Sequence, residues 1–86
     1  MGIKYTKHAM VTLEERGIEK GMVRDLPKDP QQVVKATAGK EIAQGIFKRA
    51  GKDFLLRVVY KREGETIKVI TTYWTSKIEK YWEGEP

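Results

Sequence analysis

The segment D-F-L-L-R-V-V-Y-K at residues 53–61 carries the clearest structural signal in the sequence, because its side chains alternate with the period of a β-strand. One face of that strand is wholly apolar and consists of Phe54, Leu56, Val58 and Tyr60. The other face is mixed and consists of Leu55, Arg57, Val59 and Lys61. We therefore expect the apolar face to lie against a hydrophobic layer of the same domain.

Three further segments are rich in strand-forming residues: Val33 to Thr37, Ile42 to Lys48 and Thr66 to Trp74. The segments between the strands, A-G-K, R-A-G-K-D and R-E-G-E, contain glycine and have the length of hairpin turns. Four strands joined by short turns predict an antiparallel meander. Both faces of the last strand are mixed, so its register stays open.

A helix is predicted ahead of these strands, from Thr6 to Arg16. Thr6 is the expected N-cap, and Gly17 is able to end the helix. The residues expected on one side of this helix are Ala9, Met10 and Leu13. The helix therefore presents an apolar side to the sheet.

Two shorter helices complete the predicted fold. One lies between Ile18 and Leu26 and is stopped by Pro27, and the other is a terminal amphipathic helix with Ile78, Tyr81 and Trp82 on one side. The predicted class is α+β: two N-terminal helices packed on a four-stranded antiparallel sheet, with a short C-terminal helix, in a single domain spanning residues 1–86. The sheet face opposite the helices is expected to be open.

Composition excludes several classes of protein. The chain has 86 residues with no cysteine and one histidine, which rules out disulfides, thiolate zinc sites and two-histidine mechanisms. We therefore expect no metal and no cofactor. Its apolar runs are far shorter than the roughly 20 residues that a membrane helix needs, and the N-terminus lacks an apolar signal core. The expectation is a soluble, cytoplasmic protein without a membrane partner.

Positive charge is concentrated in the middle of the chain. The net charge is +5 overall, but it is +6 over residues 35–62, +1 over residues 1–34 and −2 over residues 63–86. Concentrated positive charge attracts polyanions, so nucleic acid is the natural partner. A lysine-rich solvated surface is the alternative explanation of the same charge.

Three residues are candidates for chemistry at a phosphate. His8 belongs to the side-chain type that titrates near neutrality, although a lone histidine at a helix start is more often a surface group. Arg16, two turns further on, either reaches the same region or caps the end of its helix. Arg57 is costly on a central strand unless it meets an anion, or a carboxylate such as Asp53 or Glu65.

Other residues on the predicted strands could bind a nucleic acid. Lys48 and Lys61 would join Arg57 in a basic surface on the open face. Tyr73 and Trp74 could stack on bases, although core packing is favoured for Trp74. Thr71 could donate its hydroxyl to a phosphate, but threonine is also simply a good strand residue.

The order of motifs resembles a family of small bacterial and archaeal domains placed near the RelE/ParE toxin superfamily. The resemblance rests on K-Y-T-K-H-A (4–9), E-E-R-G-I (14–18), D-F-L-L-R-V-V-Y (53–60) and I-K-V-I-T-T-Y (67–73). It implies helices on a four-stranded antiparallel sheet. The positions that match the family pattern are His8, Arg16, Arg57, Thr71 and Tyr73.

The resemblance also implies a function. RelE-like enzymes are metal-independent endoribonucleases of toxin–antitoxin pairs, so the implied partners are RNA and an antitoxin protein. The catalytic residues would be His8, Arg57 and Tyr73, and the substrate-binding residues Arg16, Lys48, Lys61 and Thr71. The alternative is a non-catalytic RNA- or protein-binding module of the same fold.

Overall fold

A computed structural model describes residues 2–84 as one mixed sheet of five strands with three α-helices. The elements, in chain order, are β1 (Gly2–Tyr5), α1 (Lys7–Glu15), α2 (Lys20–Asp25), β2 (Gln32–Lys35), β3 (Lys40–Arg49), β4 (Lys52–Glu63), β5 (Thr66–Thr75) and α3 (Ile78–Tyr81). A short 3-10 turn, Thr37–Gly39, precedes β3. The strand order across the sheet is β1-β5-β4-β3-β2. The α+β class and the four strands after α2 are as predicted.

The prediction of a four-stranded, wholly antiparallel sheet was wrong because it missed β1. This strand pairs in parallel with β5, with Ile3 opposite Ile67 and Tyr5 opposite Val69. The backbone N–H of Thr6 extends the pairing by donating to the Val69 carbonyl at 3.0 Å. A segment of only four residues of mixed polarity carries little strand signal by itself. Its pairing could not be foreseen either, because the partner strand lies more than sixty residues away in the chain.

Both ends of α1 are capped as predicted. The Thr6 hydroxyl accepts a hydrogen bond from the Ala9 backbone N–H at 3.0 Å. At the other end, Gly17 has a φ of 60°, and the N–H of Ile18 donates to the Leu13 carbonyl at 2.9 Å. This is a Schellman motif, whose left-handed residue is usually glycine. It places Arg16 at the end of α1, beside β5.

The apolar face of β4 packs against the helices, as predicted, and we call this side of the sheet the helix face. The core there consists of Ala9, Leu13, Ile18, Val23, Leu26, Ala43, Leu56, Val58, Tyr60, Ile67 and Val69. Met10 was predicted on the buried side of α1, but it is 40% exposed. Ala9 and Leu13 pack α1 against the core, and Met10 lies on the solvent side of the helix.

A bulge between Val59 and Tyr60 explains the mixed pattern of the last strand. Val69 pairs with Tyr60 and Thr71 pairs with Val59, so Ile70 is the extra residue on β5. Beyond the bulge, Thr72 is buried opposite Val58 on the helix face. No single alternation could therefore describe the whole of β5.

The opposite side of the sheet, which we call the second face, is not open as predicted. Leu55 is fully buried there and Arg57 is only 6% exposed. The carbonyl of Tyr81 in α3 accepts a hydrogen bond from the Gln44 side chain at 3.0 Å, which fixes the C-terminal segment over the sheet. A short terminal helix thus covers about the middle of a face that strand alternation alone leaves exposed.

Within residues 2–84, no helix combines the length and the apolar character needed to cross a membrane.

Candidate active site

Three adjacent strands bring the candidate residues together on the second face. In the register of the sheet, Arg57 on β4 lies between Gln44 on β3 and Tyr73 on β5. Arg16 approaches from the end of α1, and Tyr81 approaches from α3. We call Arg16, Arg57, Tyr73 and Tyr81 the arginine–tyrosine cluster.

Arg57 is held by two hydrogen bonds to its neighbours in register. Its Nε donates to Oε1 of Gln44 at 2.9 Å, and its Nη1 donates to the Tyr73 hydroxyl at 2.6 Å. The phenolic oxygen accepts from a charged donor, and hydrogen bonds of that kind are shorter and stronger than those between neutral groups. The two contacts also fix the orientation of the planar guanidinium.

The aromatic rings of the cluster stack around both arginines. The guanidinium carbon of Arg57 lies 4.2 Å from the centroid of the Tyr81 ring and 5.7 Å from that of Tyr73. The two rings meet edge to face, with centroids 6.5 Å apart. Arg16 lies 5.9 Å from the Tyr73 ring and donates from Nη1 to the Thr72 carbonyl at 2.8 Å. Tyr73 therefore has a guanidinium on two sides.

Two glutamines fasten the C-terminal segment beside the cluster. Gln44 donates to the side-chain oxygen of Gln32 at 2.6 Å as well as to the Tyr81 carbonyl. Gln32 in turn exchanges two hydrogen bonds with the backbone of Glu83, at 2.7 and 2.9 Å. Arg57 is thus buried by aromatic rings together with a polar network that holds the C-terminal segment in place.

Neither of the two acids proposed as partners of Arg57 forms a salt bridge with it. Asp53 pairs instead with Lys48, at 3.2 Å, and Glu65 forms no ion pair with any residue from 2 to 84. Across that range, no carboxylate lies within salt-bridge distance of Arg57. The neighbours of the Arg57 guanidinium are instead two tyrosines and a glutamine.

Of the predicted site residues, Arg16, Arg57 and Tyr73 are brought together and the lysines are not. Lys48 and Lys61 share the second face with Arg57, but each lies four register positions from it, about 13 Å along the strands. Thr71 lies opposite Val59, one register row from Arg57. The lysines could contact a long ligand that also reaches the cluster, but not the same phosphate.

His8 lies in the first turn of α1 with an exposed side chain. Its side chain makes no hydrogen bond or ion pair with residues 2–84. Eight residues of chain, about 12 Å of helix, separate it from Arg16. Its catalytic role stays a prediction.

Gln44 and Tyr81 are site residues that the sequence analysis did not assign. A glutamine in the middle of the apolar run I-A-Q-G-I was a usable signal, because a buried amide needs hydrogen-bonding partners. Tyr81 gave no comparable signal, since its position depends on how α3 docks on the sheet. Trp74, in contrast, packs as expected against the core, edge to face with Phe47 at 6.1 Å.

Residues 2–84 contain no group of three or more histidine, aspartate or glutamate side chains placed to hold a metal ion. No protein-family model, curated protein or solved structure matches this chain.

Proposed function

We propose that this protein is a metal-independent endoribonuclease, the toxin-like member of a toxin–antitoxin pair, acting through the arginine–tyrosine cluster. The observation that carries the proposal is the 2.6 Å hydrogen bond from Arg57 to the Tyr73 hydroxyl, with Arg16 beside the same ring. It joins a proton donor to one cation on the second face and to a second cation that reaches the Tyr73 ring from the end of α1. That combination suits a reaction in which charge develops on a phosphate.

The proposed reaction is attack of an RNA 2′-hydroxyl on the adjacent phosphorus. The new bond forms between the 2′ oxygen and phosphorus, and the bond from phosphorus to the 5′ oxygen breaks, which leaves a 2′,3′-cyclic phosphate. Tyr73 donates its proton to the departing 5′ oxygen, and Arg57 stabilises the phenolate that results. Arg16 and Arg57 offset the extra negative charge of the pentavalent phosphorus.

The 2′-hydroxyl also has to lose its proton to an acceptor. The sequence predicts His8 as this acceptor, but about 12 Å of helix separates it from Arg16. A general base must lie within hydrogen-bond reach of the proton it removes, so at the arginine–tyrosine cluster we propose that solvent water takes this proton. A His8→Gln variant tests the prediction for His8 separately from the role of Tyr73. Loss of cleavage with unchanged RNA binding would support His8 as the acceptor instead of water.

A second candidate function is a non-catalytic RNA-binding module, and the burial of Arg57 favours it. The side chain is 6% exposed and lies under the Tyr81 ring, so a substrate reaches the cluster mainly from the side of Tyr73. A buried, fully oriented arginine also stabilises a fold without taking part in chemistry. Under the toxin proposal, an antitoxin would bind the basic second face by charge complementarity.

The deciding experiment is incubation of the purified protein with end-labelled single-stranded RNA in the presence of EDTA. We expect fragments ending in a cyclic phosphate, and none from RNA with 2′-O-methyl riboses. Tyr73→Phe should lower the rate by about 10²-fold or more, because it removes only the hydroxyl. Tyr81→Phe is the matched control, since it keeps the ring that covers Arg57.

Binding measured on the same RNA separates the two candidates. Binding without cleavage by the wild type would overturn the nuclease and leave the binding module. Equal losses in Tyr73→Phe and Tyr81→Phe would show that the Tyr73 hydroxyl has no specific part in the reaction. If the protein neither binds nor cuts RNA, both candidates fail.

A further inference from the structure

The sheet register aligns four lysines in one row across four strands. Lys40 on β3 lies opposite Lys61 on β4, Lys61 lies opposite Lys68 on β5, and Lys68 lies opposite Lys4 on β1. All four belong to the second face, because Lys61 follows Arg57 and Val59 in the alternation of β4. We call these residues the lysine row. With strands about 4.8 Å apart, the row is about 14 Å long.

The charge of the lysine row is poorly compensated within residues 2–84. Its one ion pair there joins Lys68 to Glu63 at 3.8 Å, and both side chains are 43% exposed. Glu41, the acid nearest to Lys40 in sequence, pairs instead with Arg62 at 2.9 Å. Like charges directly opposite one another on a sheet are destabilising. The row therefore costs the fold stability, which an anionic ligand would offset.

The next row towards Arg57 is a half-buried, mainly aliphatic floor. Its members in register are Thr71, Val59, Ile42 and Val34. The arginine–tyrosine cluster lies one row beyond this floor, about 7 Å further along the strands. The second face thus has, in order along the strands, a line of cations, an apolar strip and the arginine–tyrosine cluster, in which Arg57 is buried under the Tyr81 ring.

We propose that the lysine row binds consecutive phosphates of single-stranded RNA, whose bases lie over the aliphatic floor towards the cluster. This inference rests on the proposed function for the identity of the ligand. The rise per nucleotide is about 3.4 Å along the axis of a stacked strand, and consecutive phosphates lie about twice as far apart in space, so the row spans about three phosphates. The matching order of charge and apolar surface favours a nucleic acid over an acidic peptide, which offers no regular apolar bases.

The test is the salt dependence of binding to a short fluorescent oligouridylate with 2′-O-methyl riboses, which cannot be cleaved by the proposed reaction. The variant is Lys40→Gln with Lys61→Gln. The matched control is Lys7→Gln with Lys28→Gln, which removes the same charge from exposed positions outside the sheet. Losing two phosphate contacts should reduce the slope of log K against log salt by about 1.4, and weaken binding about twentyfold at 0.1 M salt. The control variant should change the salt slope and the affinity by less than half as much as the row variant does.

A second measurement guards against a folding artefact. Removing two like charges from the row should leave the midpoint of thermal unfolding unchanged or raised at low salt. Equal loss of binding in the row variant and the control would overturn the inference, because net charge alone would then explain binding. Stronger binding to oligothymidylate or to poly-glutamate than to the RNA would also overturn it.

The outcomes distinguish this inference from the proposed function. Binding through the row without cleavage of ordinary RNA would contradict the nuclease and support the row. Cleavage whose KM and salt dependence do not change in the row variant would support the nuclease and contradict the row.

Discussion

The two faces of the sheet are built on opposite principles. On the helix face, Leu56, Val58 and Tyr60 pack into one apolar cluster with both N-terminal helices. On the second face, Arg57 takes the central position and donates hydrogen bonds to Gln44 and Tyr73. One strand therefore serves a hydrophobic core on one side and an organised cationic site on the other.

The two faces of this small domain therefore contribute differently: the helix face supplies most of the stability, and the second face supplies the polar groups of the candidate site. Apolar burial contributes free energy roughly in proportion to area and tolerates imprecise geometry. The second face depends on donors and acceptors that match one to one, so each of its groups is costly to remove but yields little net stability. A protein would keep such a face for the ligand it positions.

The largest expected effect comes from adjacent leucines that point to opposite faces. Leu55 and Leu56 are both 0% exposed, but only Leu56 belongs to the main core cluster. We expect each alanine substitution to lower the free energy of unfolding by about 2 to 5 kcal/mol, with Leu56→Ala at the upper end. Urea unfolding of both variants measures the difference. A larger loss for Leu55→Ala would mean that the second face contains the main core.

An intermediate effect is expected for Arg57→Met, which keeps an unbranched side chain about as long as the arginine stem but removes the guanidinium and its donors. The Gln44 side-chain oxygen and the Tyr73 hydroxyl would lose their partner in a buried site. The expected loss in the free energy of unfolding is about 1 to 3 kcal/mol. A double-mutant cycle with Gln44→Leu should show coupling, because both residues belong to one network. Additive effects would show that the network contributes no more than its separate members.

The sequence predicted the helix face well and the second face only in part. The alternation of β4 sufficed to assign Leu56 and Tyr60 to the core, because periodicity reports burial directly. Arg57 and Tyr73 lie in contact, as expected. Arg57 stood out between apolar neighbours on its strand, whereas Tyr73 was chosen from the resemblance at I-T-T-Y. Lys48 and Lys61 were grouped with them on charge alone, and only the register shows that they lie too far apart for one phosphate.

Long-range pairing explains what the sequence could not predict. β1 is defined by its parallel pairing with β5, and the burial of Arg57 depends on where Tyr81 docks. The lysine row is likewise a property of the register, because its four members come from four separate strands. No local pattern of residues carries that information.

The smallest expected effect compares the tyrosine hydroxyls of the two faces. The Tyr60 hydroxyl is buried on the helix face and has no hydrogen-bond partner within residues 2–84, whereas the Tyr73 hydroxyl accepts from Arg57. Tyr60→Phe should therefore leave the free energy of unfolding at pH 7 unchanged, or raise it by up to about 1 kcal/mol. Tyr73→Phe should lower it, because the Arg57 Nη1 would lose its acceptor.

The same comparison predicts how stability depends on alkaline pH. Burial, with the nearby charge of Glu41 as a smaller cause, raises the pKa of Tyr60 above its ordinary value. The folded state then retains a proton that the unfolded state loses above about pH 10, so stability present below that pH is lost as pH rises through the folded pKa. Urea unfolding at neutral and alkaline pH should show a smaller loss in Tyr60→Phe than in the wild type. Tyr5, whose pKa is also raised by burial, is present in both proteins and cancels in the difference. Identical losses would mean that the Tyr60 hydroxyl reaches water or a partner, and the helix face would then be less uniformly apolar than its packing indicates.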